Sequence, residues 1–337
     1  MEFLFYDWLG TPAWFWLAFI GLVAALTAFD LGILHKEDRE MGIAESLKLS
    51  GFYIGIALLF GAWVWFQKGA DLGMKYYTGF FIEKALSIDN VFVISLIFTY
   101  FAIPRMYQYR ALLWGIIAVI VLRGIMIAVG AAVVEQYYWV LYIFAAFLVA
   151  TGIKMLFAGD KPMDVANNPA VKFISRHMRV TPELHGQKFF TRTPDGKTGK
   201  LVVAATPLFL ALVVINLADL VFAVDSVPAI FAITTDTFIV YTSNIMAILG
   251  LRALYFALAA MVHRFHYLKY ALALVLVFIG SKIFVADFLM GGAKFPPVAS
   301  LLVTLGLIAA GVGYSLWKTK GQEEPDWPAE PEPKPVR

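Results

Sequence analysis

The sequence predicts an all-α polytopic membrane protein of about nine transmembrane helices, with inverted three-helix repeats in spans 3–5 and 6–8. Three observations carry this. Hydrophobic residues make up 61% of the 337-residue chain and charged residues 15%, with a mean hydropathy of +0.75, far outside the range of soluble domains. The apolar residues fall in continuous runs of roughly 20, the length a helix needs to cross a hydrocarbon core, and not in the short alternating segments of a membrane barrel. Finally, the two halves of the chain carry the same charged residues in the same order.

The runs lie near 12–34, 50–67, 78–101, 110–132, 137–158, 203–231, 238–262, 267–289 and 297–318. The first is expected to stay in the mature chain, because Glu2 and Asp7 stand where a signal peptide would carry a basic region. Residues 1–320 read as a single transmembrane domain. Its first repeat covers 78–158 and its second 203–289, separated by a basic, proline-bearing cytoplasmic loop at 159–200. Residues 321–337, with five prolines among acidic residues, read as a disordered cytoplasmic tail.

Lysine and arginine outside the spans collect on one side. Lys36, Arg39, Lys48, Arg105, Arg110, Arg264, Lys269, the 159–200 loop and the tail share that side, against Lys68, Lys75 and Lys294 on the other. The bias predicts an inner (plasma) membrane protein with its N-terminus outside and its C-terminus in the cytoplasm. The absence of cysteine excludes disulfides, thiolate metal ligands and thiol redox chemistry carried by the chain.

Glu83–Val91, EKALSIDNV, matches Asp219–Val227, DLVFAVDSV. One span later Leu122-Arg123 matches Leu251-Arg252, and one span beyond that Gly152-Ile153-Lys154-Met155 matches Gly280-Ser281-Lys282-Ile283. Three spans per repeat insert the second copy upside down, the arrangement of secondary transporters with a substrate site near the midplane.

Ionisable residues within a membrane are costly and mark function. The acidic candidates are Asp30, Glu83, Asp89, Asp219 and Asp225; the basic ones are Lys84, Arg123, Lys154, Arg252 and Lys282, read as charge-pairing or gating residues. Glu83, Ser87 and Asn90 share one helix face, as do Asn216, Asp219 and Ser226, whereas Asp89 and Asp225 fall about 120° away on an ideal helix. Pro228 withholds a hydrogen bond from the Val224 carbonyl and is expected to loosen the helix beside Asp225. Carboxylates, amides and hydroxyls form a hard oxygen set suited to Mg²⁺, Ca²⁺ or Mn²⁺. The histidines, His35, His177, His185, His263 and His266, all fall in loops or at helix ends. Asp30, without a repeat counterpart, is assigned to the same cavity.

EKALSIDNVFV followed by NLADLVFAVDSVPAIFAIT resembles the paired signature of the TerC/Alx family of bacterial membrane proteins, and the likeness runs over nearly the whole chain. The resemblance implies a protein related to the LysE-type exporter superfamily, in a family named for tellurium resistance and linked to manganese efflux and alkaline pH. On it, Mn²⁺ becomes the expected cargo, carried as a substrate with no cofactor. The implied metal ligands are Asp30, Glu83, Asp89, Asn90, Asp219, Asp225 and Ser226.

The function expected is export of Mn²⁺ from the cytoplasm by a secondary transporter, with proton antiport as the coupling. The alternative is a non-transporting membrane scaffold serving tellurium resistance or the metal loading of secreted enzymes. A tellurite carrier would place an oxyanion against five acids. An enzyme is not expected, since no nucleophile with a base, cofactor motif or catalytic metal triad is visible. The partners expected are the divalent cation and the lipid bilayer, with no nucleic acid. A homo-oligomer or other membrane-protein partners stay open, and Gly51 and Gly55, spaced as Gly-x-x-x-Gly, are expected to pack helices within the chain.

Overall fold

The computed structural model describes residues 2–30, 42–157, 169–194, 201–259, 265, 267–291 and 295–320. The expected tail at 321–337 lies outside them, as do His35, His263 and His266. The architecture is a helical bundle: α1 (Ala13–Phe29), α2 (Ile43–Lys68), α3 (Ala70–Tyr100), α4 (Arg105–Gln136), α5 (Val140–Phe157), α6 (Pro169–His177), α7 (Pro207–Phe231), α8 (Thr237–Leu249), α9 (Leu251–Ala259), α10 (Leu268–Phe284) and α11 (Pro297–Lys318). Two short antiparallel pairs accompany it, β1 (Asp7–Trp8) with β2 (Thr11–Pro12), and β3 (Phe190–Pro194) with β4 (Leu201–Ala205).

Among the described residues, six helices, namely α2, α4, α5, α7, α10 with its π-helical extension to Leu289, and α11, are long and apolar enough to cross a membrane. The α8–α9 pair, bent by 54°, makes a seventh if it is one span. The nine expected spans are therefore not reached among the described residues on length and composition. Helix α1 has only 17 residues, and α3 is long but charged, carrying Asp71, Lys75, Glu83, Lys84 and Asp89.

Two boundaries differ from expectation for local reasons. The central segment is not a bare loop, since it contains α6 and β3. The span expected from 203 does not open there: residues 203–205 belong to β4, which pairs with β3, Phe190 opposite Ala205. Helix α7 starts at Pro207, whose missing N–H is an unneeded donor in a first turn, behind Thr206, whose hydroxyl accepts from the Phe209 amide at 3.4 Å. Nor does Pro228 interrupt the chain: α7 continues past it to Phe231.

The bundle buries aromatic and aliphatic side chains such as Phe19, Tyr76, Phe80, Ile127 and Phe238, while Leu59, Phe66, Val121, Ile125, Val129 and Ile143 face outward. An exposed apolar surface of this extent suits a lipid solvent. Tyr137, Tyr138 and Trp139, exposed in the α4–α5 turn, have the character of an interfacial aromatic belt. At the bundle end where α2 finishes, Lys68 Nζ donates to Thr11 Oγ1 at 2.6 Å and pairs with Asp236 at 3.2 Å. Asp236 also caps α8 by accepting from the Ile239 amide at 3.1 Å.

Helices α5 and α10 cross at two glycines in a reciprocal contact. A Cβ on Gly152 would lie 2.6 Å from the Ala273 carbonyl oxygen, and one on Gly280 would lie 2.6 Å from that of Ala145. Each glycine meets the residue seven positions before the other, so the helices run antiparallel and the contact has local two-fold character. Gly51 and Gly55 behave otherwise: a Cβ at either would meet nothing within 4 Å. The expectation that they pack helices within the chain is not met, because α2 turns that stripe away from its neighbours.

Candidate functional site

Near the middles of α3, α4, α7 and α8, polar side chains converge on one guanidinium. Arg123 and Glu83 are each 1% exposed, and Asn244 is fully enclosed. Arg123 reaches Asp219 with two parallel bonds, Nε to Oδ2 and Nη2 to Oδ1, both 3.1 Å. Its Nη1 donates to Glu83 Oε1, to Asn244 Oδ1 at 2.7 Å and to Ser226 Oγ at 3.2 Å. Asn244 Nδ2 donates in turn to Glu83 Oε2 at 3.2 Å, and Asn90 Nδ2 to Asp219 Oδ1 at 3.4 Å.

Helical periodicity explains the selection. Glu83 and Asn90, seven residues apart on α3, share a face, as do Asp219 and Ser226 on α7. Asp225 lies about 120° round α7 from Asp219 and faces α5, where Thr151 Oγ1 donates to it at 3.5 Å and Lys154 acts on it electrostatically. The cluster holds two carboxylates against one guanidinium, and among the described side chains no other charge is coupled to Arg123. Fork geometry suits the arginine, since a planar guanidinium satisfies a carboxylate with two parallel bonds.

The structure thus brings together Glu83, Asn90, Asp219, Ser226 and Arg123. The other expected residues whose side chains are described lie apart from them. Buried Asp30 accepts from the Tyr109 hydroxyl at 3.0 Å, and Tyr109 precedes Arg123 by fourteen residues of α4, about 21 Å along the axis. The expected shared cavity for Asp30 is therefore not observed. Lys84 points to the end of α8, donating to the Ala247 carbonyl at 3.2 Å, a helix C-terminus that favours a cation. Buried Lys282 donates to Ser300 Oγ at 3.2 Å on α11. Asn216 Nδ2 turns back to the Leu212 carbonyl at 2.7 Å. The side chains of Asp89 and Arg252 lie outside the described ones. Among the described residues, no three His, Cys, Asp or Glu side chains gather as a metal cage.

One member was missed. Asn244 interrupts an apolar span, where an amide with donors and acceptors to satisfy signals a buried polar network. Beside the cluster, a cavity of about 30 Å³ is bordered by Asn90 and Asp219 and otherwise mostly by apolar side chains, including Ile116, Val119, Ile215 and Phe222. That volume admits one or two waters against the polar wall. Its α4 lining precedes Arg123 and its α3 lining follows Glu83, so it lies toward the bundle end where α3 finishes and α4 begins.

Several long apolar helices around a buried charge cluster define an all-α, multi-pass integral membrane protein. The chain belongs to the Integral membrane protein TerC family, whose model matches residues 68–323 and so includes the whole cluster but not Asp30. It is similar to an uncharacterized membrane protein of Rickettsia bellii (strain RML369-C), 48% identical over 301 residues that cover 89% of this chain and 96% of that one. An uncharacterized membrane protein of Myxococcus xanthus is 43% identical over 311 residues, 92% of this chain and 94% of the relative. The Alx protein of Escherichia coli (strain K12), whose name proposes a membrane-bound redox modulator, is 41% identical over 317 residues, 91% of this chain and 95% of the relative. No solved structure matches the chain significantly.

Proposed function

We propose that the chain is a secondary transporter that exports divalent metal cations, Mn²⁺ foremost, from the cytoplasm across the bacterial inner membrane. The observation that carries this reading is the central cluster: carboxylate, amide and hydroxyl oxygens from both halves of the chain meet near mid-helix, with two carboxylates against one guanidinium among the described side chains. An uncompensated negative charge in a low-dielectric interior draws in a cation, and the oxygen set matches hard divalent ions. Glu83, Asp219, Asn90, Ser226 and Asn244 form the transit site in this reading.

The reciprocal packing of Gly152 and Gly280 supports treating the two halves as inverted copies, the framework on which alternating access operates. With the N-terminus outside, the small cavity beside Asp219 lies on the cytoplasmic side, where export begins. Protons moving inward would compete with the metal for the same carboxylates, since a carboxylate binds one or the other. The redox role in the Alx name fits a cysteine-free chain through the redox-active cation that it moves.

Purified protein in proteoliposomes should give saturable Mn²⁺ flux that responds to an imposed pH gradient under voltage clamp. Flux no greater than that of empty liposomes for Mn²⁺, Ca²⁺ and Mg²⁺, in either gradient direction, would overturn the reading. Flux indifferent to the pH gradient would remove proton coupling alone.

A further inference from the structure

We infer that Arg123 is a tethered stand-in for the cargo: its guanidinium occupies the position that the transported cation takes, and the two bind the same oxygens by turns. This rests on the transport reading of the cluster and adds how that site is emptied.

The argument starts from the contact set. Arg123 donates to five oxygens, Glu83 Oε1, both carboxylate oxygens of Asp219, Ser226 Oγ and Asn244 Oδ1, drawn from α3, α7 and α8. Those are hard donors of the kind a divalent cation collects, and all five are already engaged by one side chain. A metal cannot share them while the guanidinium stays, since a buried guanidinium would repel it at close range. Displacing the guanidinium frees the full set, with water supplied from the adjoining cavity at Asn90 and Asp219. That cavity is lined by Val119 and Ile116, one and two turns before Arg123 on α4. Long helical side chains lean toward this N-terminal direction, so the displaced guanidinium would swing toward the cavity, which must widen to take it.

The exchange solves a problem that every transit site faces. An ion must bind well enough to enter and weakly enough to leave. Two buried carboxylates without a counter-charge would hold a divalent cation too firmly. Arg123, returning to its five oxygens, offsets that attraction and lowers the free energy of the emptied site.

The test uses the full chain in lipid nanodiscs, titrated with Mn²⁺ and read by the EPR signal of the free ion, with thermal unfolding recorded with and without Mn²⁺. Arg123→Gln removes the competitor; it should bind Mn²⁺ about tenfold more tightly than wild type and gain a larger Mn²⁺-dependent rise in Tm, because the metal now supplies the counter-charge that Arg123 gave. Arg123→Lys keeps the charge but not the planar fork, and it should bind more tightly than wild type by a smaller factor. Should Arg123→Gln fail to fold, Arg123→Lys decides. Folded variants that bind Mn²⁺ no more tightly than wild type overturn the inference while leaving the transport reading in place. No binding of Mn²⁺, Ca²⁺ or Mg²⁺ by wild type or either variant removes both.

Discussion

Arg123→Leu is expected to cost the metal-free chain about 3–5 kcal/mol, the range for breaking a buried ion pair by removing one partner. The substitution leaves Glu83 and Asp219 facing each other with no cation between them, and it strips Ser226 Oγ and Asn244 Oδ1 of a donor. Glu83 is almost wholly out of solvent and Asp219 borders only the small cavity beside it, so water can replace few of the lost bonds. Thermal unfolding in detergent micelles, compared with wild type, measures the loss. The companion experiment adds Glu83→Leu and Asp219→Leu to the same chain. Replacing every charge in the network by an apolar side chain of similar volume is often neutral or better, so the triple variant should recover most of the stability while losing the site. A single variant as stable as wild type would show that the cluster contributes nothing to the fold.

The second large effect lies at the crossing of α5 and α10. Gly152→Val and Gly280→Val each put a Cβ on a carbonyl oxygen of the opposite backbone, and a backbone cannot step aside as a flexible side chain can. Overpacking of this kind costs about 1–3 kcal/mol. The two losses should be similar in size, since the contacts are reciprocal. In the double variant they should add to less than their sum, because the first substitution already separates the helices that the second would strain. Gly51→Ala is the control. Its Cβ meets nothing within 4 Å, and alanine is the better helix former by about 1 kcal/mol, so stability should hold or rise. Equal losses at Gly51 and Gly152 would show that the crossing is not specially close.

Much of this architecture was legible because lipid imposes simple rules. Continuous apolar runs had to be helices, and a charged residue inside one had to find company. The pairing of Glu83 with Asp219 followed from their matched positions in EKALSIDNV and DLVFAVDSV, and Arg123 stood out for the same reason. Asp225 shows where motif matching stops: its place beside Ser226 in the motif suggested a shared role, but the helical turn sends it toward Thr151 and Lys154 on α5. Asp30 had no such geometric cue. Its position depends on how α1 lies against Tyr109 at the start of α4, a tertiary choice that no local pattern encodes. The expected span from 203 takes in the end of the strand at Leu201–Ala205, because so short an apolar run cannot reveal its period. Asn244 was overlooked because it lies outside the two acidic motifs, though its place among apolar neighbours was the available signal.

The central claim is that the cation passes through the Glu83–Arg123–Asp219 cluster, and Mn²⁺ flux in proteoliposomes carrying Asp219→Asn beside Asp225→Asn tests it most directly. Both variants should first be shown to fold, by a wild-type size-exclusion profile and a cooperative thermal transition. The account predicts that Asp219→Asn falls to the level of empty liposomes while Asp225→Asn, outside the cluster, keeps saturable flux. Wild-type flux through folded Asp219→Asn would contradict the account and place the route elsewhere in the bundle.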